Sequence, residues 1–274
     1  MLDQKKIFNT LNIDVDNLAS ALLESGRNSK YTYEVENELN KTLKYLNEKK
    51  CVANFFIPGH FFNKSKYLVK EISNNGHYIC SHGFIHKNLS NYTNINDALN
   101  DLKISKNNLE DLIGKKVAVY KSPSWGIKKN LEEYLDLIKE AGYEYDHSLT
   151  PKFFRQISKE DNKLLRFKNG LKIIPPNTIK FLNKVKFFVP GGFRAAYIPY
   201  EILDKFFKDL NLKNKPFNYY FHPFEFFPEG ENIKIFKYNN FFASLYGFHF
   251  QFLHKQIEKI IANYNFDIIP NVYK

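Results

Sequence analysis

Short apolar runs alternate with longer amphipathic ones along most of this chain, and that alternation leaves few folds open. Phe8–Ile13 is apolar, and 34–50 follows with Leu39, Leu43 and Leu46 at helical spacing. A second apolar run at Val52–Ile57 stops at Pro58-Gly59, and a helical stretch over 66–73 stops at Asn75-Gly76. His77–Cys80 then reads as a strand, 95–113 as a helix closed by Gly114, and 117–120 as a strand. A helix over 131–141 closed by Gly142 and a strand at 143–145 complete the series. Such a β-α-β-α rhythm implies an α/β protein, a parallel sheet or barrel with helices outside. The stretch from Pro151 to Pro190 is less regular and reads as strands and long loops. Beyond it come a helix near 200–210, a strand at 217–221, a long amphipathic helix near 241–264 and a short strand at 266–269. There is no internal repeat, linker or low-complexity segment. The 274 residues are therefore expected to form a single domain, 1–274, a size that suits one α/β barrel.

With 43% hydrophobic and 17% aromatic residues, the chain can fill a large core, and no uncharged apolar run is long enough to span a membrane. The first residues lack the apolar core and small-residue cleavage site of a secretion signal, which sets the expectation of a cytoplasmic protein. Cys51 and Cys80 have no metal-binding or nucleophilic motif around them and read as buried thiols. A formal charge of +11 raises nucleic acid as a partner, but the lysines are spread over every expected helix without a compact basic run. A solvated Lys-rich surface explains that better. Peripheral attraction to anionic lipid, or to a phosphate-bearing sugar carrier, is the weaker alternative.

Two groups of residues carry the chemistry. His82 and His86 stand four apart, directly after an apolar run, and can face one ion from a single turn or tight loop. Asp14 and Asp16 end the first apolar run, and on an extended strand both carboxylates point the same way. Ligands delivered from the C-terminal ends of neighbouring parallel strands are where α/β proteins build sites. The zinc-protease helix places a Glu directly after its first His, whereas here Gly83 follows His82, so a base must come from elsewhere and Asp14 is the candidate. The isolated histidines His60, His77, His147, His249 and His254 read as structural.

In order along the chain, Leu11-Asn12-Ile13-Asp14-Val15-Asp16, Ser81-His82-Gly83-Phe84-Ile85-His86, Tyr120-Lys121-Ser122-Pro123-Ser124-Trp125 and Phe221-His222-Pro223-Phe224-Glu225 resemble the motifs of the polysaccharide deacetylases of the NodB-homology group, carbohydrate esterase family four. Asn54–Ile57 and Gly76–Ile79 fit between them, and Pro190-Gly191-Gly192-Phe193-Arg194 is similar to a subgroup associated with exopolysaccharide gene clusters. The resemblance spans nearly the whole chain. It implies a distorted (β/α) barrel of about seven parallel strands. It also implies Asp14 as catalytic base, Asp16, His82 and His86 as ligands of a divalent metal (most readily Zn²⁺, with Co²⁺ or Ni²⁺ as substitutes), and His222 as general acid. Asp146 is the candidate for the acidic group that tunes that histidine. Pro123 and Trp125 would line the groove, and Arg194 could reach a carboxylate or phosphate on the substrate.

One position departs from the pattern: the family usually has Arg where this chain has Lys121, which holds a charge pair but not a planar two-pronged one. The implied activity is metal-dependent removal of an N-acetyl group from an amino sugar in a glycan or in a nucleotide- or lipid-linked precursor, with acetate released. A binding module that has lost catalysis and a deformylase of the same fold are the alternatives. An iron oxygenase would also use two histidines and a carboxylate, but from a β-sandwich, which the α/β rhythm opposes.

Overall fold

The computed structural model describes residues 7–16, 32–181, 185–189, 191–228 and 240–274, with backbone alone at 32–34, 60, 179–181, 185–187, 193–194 and 240–251. Eight strands form one curled sheet: β1 (Thr10–Asp14), β2 (Asn54–Ile57), β3 (Tyr78–Ser81), β4 (Val119–Tyr120), β5 (Tyr145–Asp146), β6 (Leu165–Arg166), β7 (Lys172–Ile173) and, after a separate hairpin, β10 (Asn218–Phe221). Their order is β10-β1-β2-β3-β4-β5-β7-β6. Every neighbouring pair is parallel except β6 with β7, so the sheet has the seven expected parallel strands plus one antiparallel edge. This open, helix-flanked sheet is a distorted (β/α) barrel. The separate hairpin is β8 (Thr178–Phe181) with β9 (Val185–Phe188).

The sheet is buried on both faces. Phe55 and Ile79 pack outward under helices Thr32–Glu48 and Lys66–Asn74, where Leu39, Leu43, Leu68 and Ile72 form part of the main core. Their neighbours Phe56 and Cys80 point the other way, into a smaller cluster with Val119, Tyr145 and Ile174 that Ile269 and Tyr273 close. Side chains of adjacent strand residues alternate between faces, which accounts for the split. The end of the chain is tied into this concave side by Ile269 N donating to Asn54 Oδ1 at 2.8 Å and Tyr273 OH donating to Asn218 Oδ1 at 2.9 Å.

Three expectations change. Within the irregular middle, Pro151–Ile157 is a helix; its proline sits in the first turn, where its missing N–H and fixed φ cost nothing. The expected strand at 266–269 is a single bridge from Asn9 to Phe266 followed by a helical turn, Ile269–Val272, for the same reason at Pro270. The strand read at 143–145 starts two residues later and is Tyr145–Asp146. Among the described residues no helix is long and apolar enough to cross a membrane.

Candidate active site

Register decides where the polar residues fall. Asp14, Ile57, Ser81, Tyr120, Asp146 and Phe221 end their strands on one side of the sheet. His82, Lys121, His147 and His222 are each the next residue in the chain. Sequence groups as far apart as Asp14 and His222 thus meet at the C-terminal rim.

Asp16, His82 and His86 converge there. His86 Nε2 lies 2.9 Å and His82 Nε2 3.5 Å from Asp16 Oδ2, and one ligand atom from each of the three falls within 4.8 Å of the others. All three side chains are buried. His82 Nδ1 is 2.7 Å from the Lys121 carbonyl, which can only accept, so Nδ1 carries the proton and Nε2 offers its lone pair. The loop between the histidines is pinned by the Asp101 carboxylate, which accepts from Phe84 N at 2.9 Å and Ile85 N at 2.8 Å. Gly83 takes φ +79° there, and the loop passes so close to Gly59 that a Cβ on that residue would lie 2.3 Å from Phe84 O. Asp16 Oδ1 is buried without a hydrogen-bond partner, an arrangement that a bound cation would satisfy. Two imidazole nitrogens and a carboxylate are also a donor set suited to a divalent metal with positions left open. Desolvation would raise Asp16, but the two histidines offset it and hold the carboxyl well below its ordinary range.

Beside this triad, the Lys121 ammonium pairs with Asp14 Oδ2, both groups buried. Burial pushes Asp14 up, yet Lys121 first, then His82 and His222, bring it below its usual value, so it is ionised. Its second oxygen, Oδ1, is buried and accepts no hydrogen bond. Lys121 is boxed by aromatic rings, with Nζ 4.2 Å from the centroid of Tyr220, 4.8 Å from Trp125 and 5.4 Å from Phe56. These rings offer lysine something that the planar guanidinium geometry would otherwise supply.

Across the cleft, His222 opens a short helix, Pro223–Phe226, whose turn brings Glu225 back onto it. Glu225 Oε2 accepts from His222 N at 2.7 Å and lies 3.0 Å from Nδ1. Burial lowers His222, but Glu225, with smaller help from Asp14 and Asp16, raises it to about 9. A divalent cation on Asp16 would pull that value back down.

Asp14, Asp16, His82, His86, Lys121, Ser124, Trp125, Lys128, Tyr220 and His222 line one cleft of about 330 Å³. That is at the lower end of the ~300–1,000 Å³ usual for small-ligand sites. The expected grouping of Asp14, Asp16, His82, His86, Lys121 and His222 is therefore present in space. Trp125 lines the cleft, although only 9% of it is exposed and its ring packs edge-on to His147, Phe188 and Tyr220. Pro123 is buried behind the wall rather than on it. Arg194 lies in the turn Gly192–Ala195, and its side chain is outside the described residues, as is that of His60.

Asp146 is corrected. It accepts from Ser148 N and Ser148 Oγ, and Ser148 Oγ accepts from Ser122 N at 2.8 Å, so Asp146 supports the loop after Lys121 and not His222. The position expected of Asp146 is filled by Glu225, three residues after His222 in the same quoted motif. An acidic residue one helical turn from a histidine is a signal that could have found it. Asp101, Tyr220 and Lys128 were also missed, and nothing local in the sequence marks them.

Residues 31–145 match the family model of polysaccharide deacetylase, and 148–274 match a domain of unknown function, DUF3473. Over residues 31–145 the chain carries a polysaccharide deacetylase domain. Strands from both matched segments share the one sheet, since β10 from the second pairs with β1. The peptidoglycan-N-acetylmuramic acid deacetylase PdaA of Bacillus subtilis (strain 168) is 28% identical over 147 residues, 53% of this chain and 54% of that protein. A peptidoglycan deacetylase of Helicobacter pylori (strain ATCC 700392 / 26695) is 28% identical over 151 residues, 53% of this chain and 50% of that protein. The chain thus spans about half the length of the curated relatives it matches. Among solved structures, a Mycobacterium smegmatis protein assigned to the polysaccharide deacetylases superposes with a TM-score of 0.60 at 17% identity, covering 96% of this chain and 86% of that one. A mutant of BA3943, a CE4 family pseudoenzyme, gives 0.50 at 12% identity, covering 99% and 68%. At such identities these two structures speak for the fold of the deacetylase domain alone.

Proposed function

We propose that this protein is a metal-dependent hydrolase that removes an N-acetyl group from an amino sugar in a glycan or glycan precursor. The observation that carries the proposal is the assembly, on one cleft, of a buried Asp-His-His triad between an ionised carboxylate and a protonatable histidine. The names of the curated relatives favour a peptidoglycan-like N-acetylated glycan over a free sugar.

Asp16, His82 and His86 would hold the ion, with Zn²⁺ the best match to the donor set and Co²⁺ or Ni²⁺ as substitutes. When bound, such an ion supplies Lewis-acid polarisation of the acetamide carbonyl and a lowered pKa for an attacking water. Asp14 takes the proton of that water, and Lys121 keeps Asp14 ionised for the purpose. His222 donates a proton to the departing sugar amine. Because Nδ1 faces Glu225, Nε2 is the nitrogen left for the cleft, and Glu225 fixes both tautomer and charge. Acid and base thus belong to separate ion pairs, which keeps them from neutralising each other. The products are acetate and a free amino sugar.

The test is metal content together with acetate release from N-acetylated sugar oligomers, for wild type and Asp14→Asn. About one bound divalent ion, with release lost in the variant, is expected. Metal without release from any acetylated or formylated sugar would instead favour a binding module, for which Lys121 in place of the customary Arg is the one observation.

A further inference from the structure

Among the described residues, the cleft contains one charge that the proposed reaction does not use. Asp14 pairs with Lys121, Asp16 faces His82 and His86, and His222 pairs with Glu225. Lys128 also lines the cleft, is exposed, and its ammonium has no ion pair or hydrogen bond among the described residues. Its backbone is nevertheless held firmly. Lys128 N donates to Ser90 Oγ at 2.7 Å, Ser90 N to Gly126 O at 3.0 Å, and Leu89 N to Ser122 Oγ at 3.1 Å. Within the same loop, Ser124 and Trp125 both take left-handed φ, 55° and 54°. For side chains other than glycine such backbone costs on the order of 1–3 kcal/mol per residue, and it persists where surroundings dictate it, often at ligand sites. The bend turns the Trp125 ring in over Lys121 and leaves Ser124 and Lys128 along the mouth of the cleft.

An acetamide is neutral and cannot answer that cation. We propose that Lys128, with Ser124 beside it, receives an anionic substituent of the glycan, so that the preferred substrate is an acidic N-acetylated saccharide. This rests on the hydrolase reading for its placement next to the acetamide, but not for the binding itself. The anion could be a sugar carboxylate or a phosphate. Either pairs with an ammonium as a point charge, without demanding the fork of an arginine.

Binding of three probes, measured by calorimetry, separates the cases: neutral chitotetraose, a hyaluronan tetrasaccharide with alternating glucuronate, and N-acetylglucosamine 1-phosphate. Because the pair would be partly exposed and screened, wild type is expected to favour an anionic probe by about two- to fivefold, less at high salt. Lys128→Gln should erase that preference and Lys128→Glu invert it. A preference for hyaluronan alone assigns the anion to a carboxylate, and one for the sugar phosphate alone assigns it to phosphate. Equal affinity for neutral and anionic probes, no binding of either anionic probe, or a preference that survives both substitutions as general attraction to a +11 surface, overturns the proposal. If the preference holds but no acetate is released from any probe, it is the hydrolase proposal that falls.

Discussion

Two ion pairs of the cleft, one buried and one partly exposed, are built in opposite ways. Asp14 and Lys121 lie 107 positions apart and meet only because β1 and β4 end on the same side of one sheet. His222 and Glu225 lie three apart and meet because one helical turn folds the chain back. The first pair depends on the register of several strands and on rings from Phe56, Trp125 and Tyr220. The second needs little beyond its own segment. A base built from distant parts is hostage to the whole sheet, whereas a locally built acid should tolerate changes elsewhere.

Substituting the reacting groups tests this contrast most severely. Asp14→Asn and His222→Asn should each lower acetate release by ~10²–10⁴-fold, measured under saturating substrate. Lys121→Met should approach the Asp14→Asn loss while also destabilising the fold, because it strands a buried carboxylate; thermal unfolding would read the second effect. A Lys121→Met protein with unchanged Tm and activity would show that the long-range pair is idle.

Metal addition comes next in size. At ~100 times its Kd, zinc should stabilise the apoprotein by about 2.7 kcal/mol, seen as a raised Tm, and Asp16→Asn should abolish the shift.

The local pair is better probed by pH. His222 has a folded value near 9, above its unfolded value of 6.5, so the stability it contributes is full below about 6.5 and lost as pH rises through about 9. The alkaline limb of kcat, set by loss of the acidic proton, should move down by about one unit or more in Glu225→Gln, with the acidic limb in place. A limb that stays put would break the assignment of Glu225.

Asp146→Asn should have the smallest effect on turnover. Burial raises Asp146 to about 7, so in the wild type its contribution falls as pH climbs from 3.8 through 7. In the variant that part of the pH dependence of Tm should vanish, while kcat changes only as far as the Ser148–Ser122 contact loosens.

By itself, the sequence determined the α/β class and drew attention to Asp14, Asp16, His82 and His86 at the ends of apolar runs. Strand and helix periodicity are local, and residues placed just after an apolar run arrive at a strand's end in any parallel sheet. The acid His222, the choice of Asp16, His82 and His86 as ligands and the count of about seven strands were legible only through the resemblance of four motifs in order. The helix at Pro151–Ile157 was not legible, because a seven-residue segment starting with proline has too few turns to show a period. The tertiary structure alone decided the rest. Which carboxylate faces His222 is settled by distance, and Asp146 went to Ser148 instead. Lys121 is surrounded by rings that come from β2, the loop after β4, and β10. Among the described residues Lys128 stands without an ion pair at the cleft mouth although, along the chain, it is one lysine among many. Charge becomes chemistry only where burial removes water and register chooses its neighbours, and neither is written in any single segment.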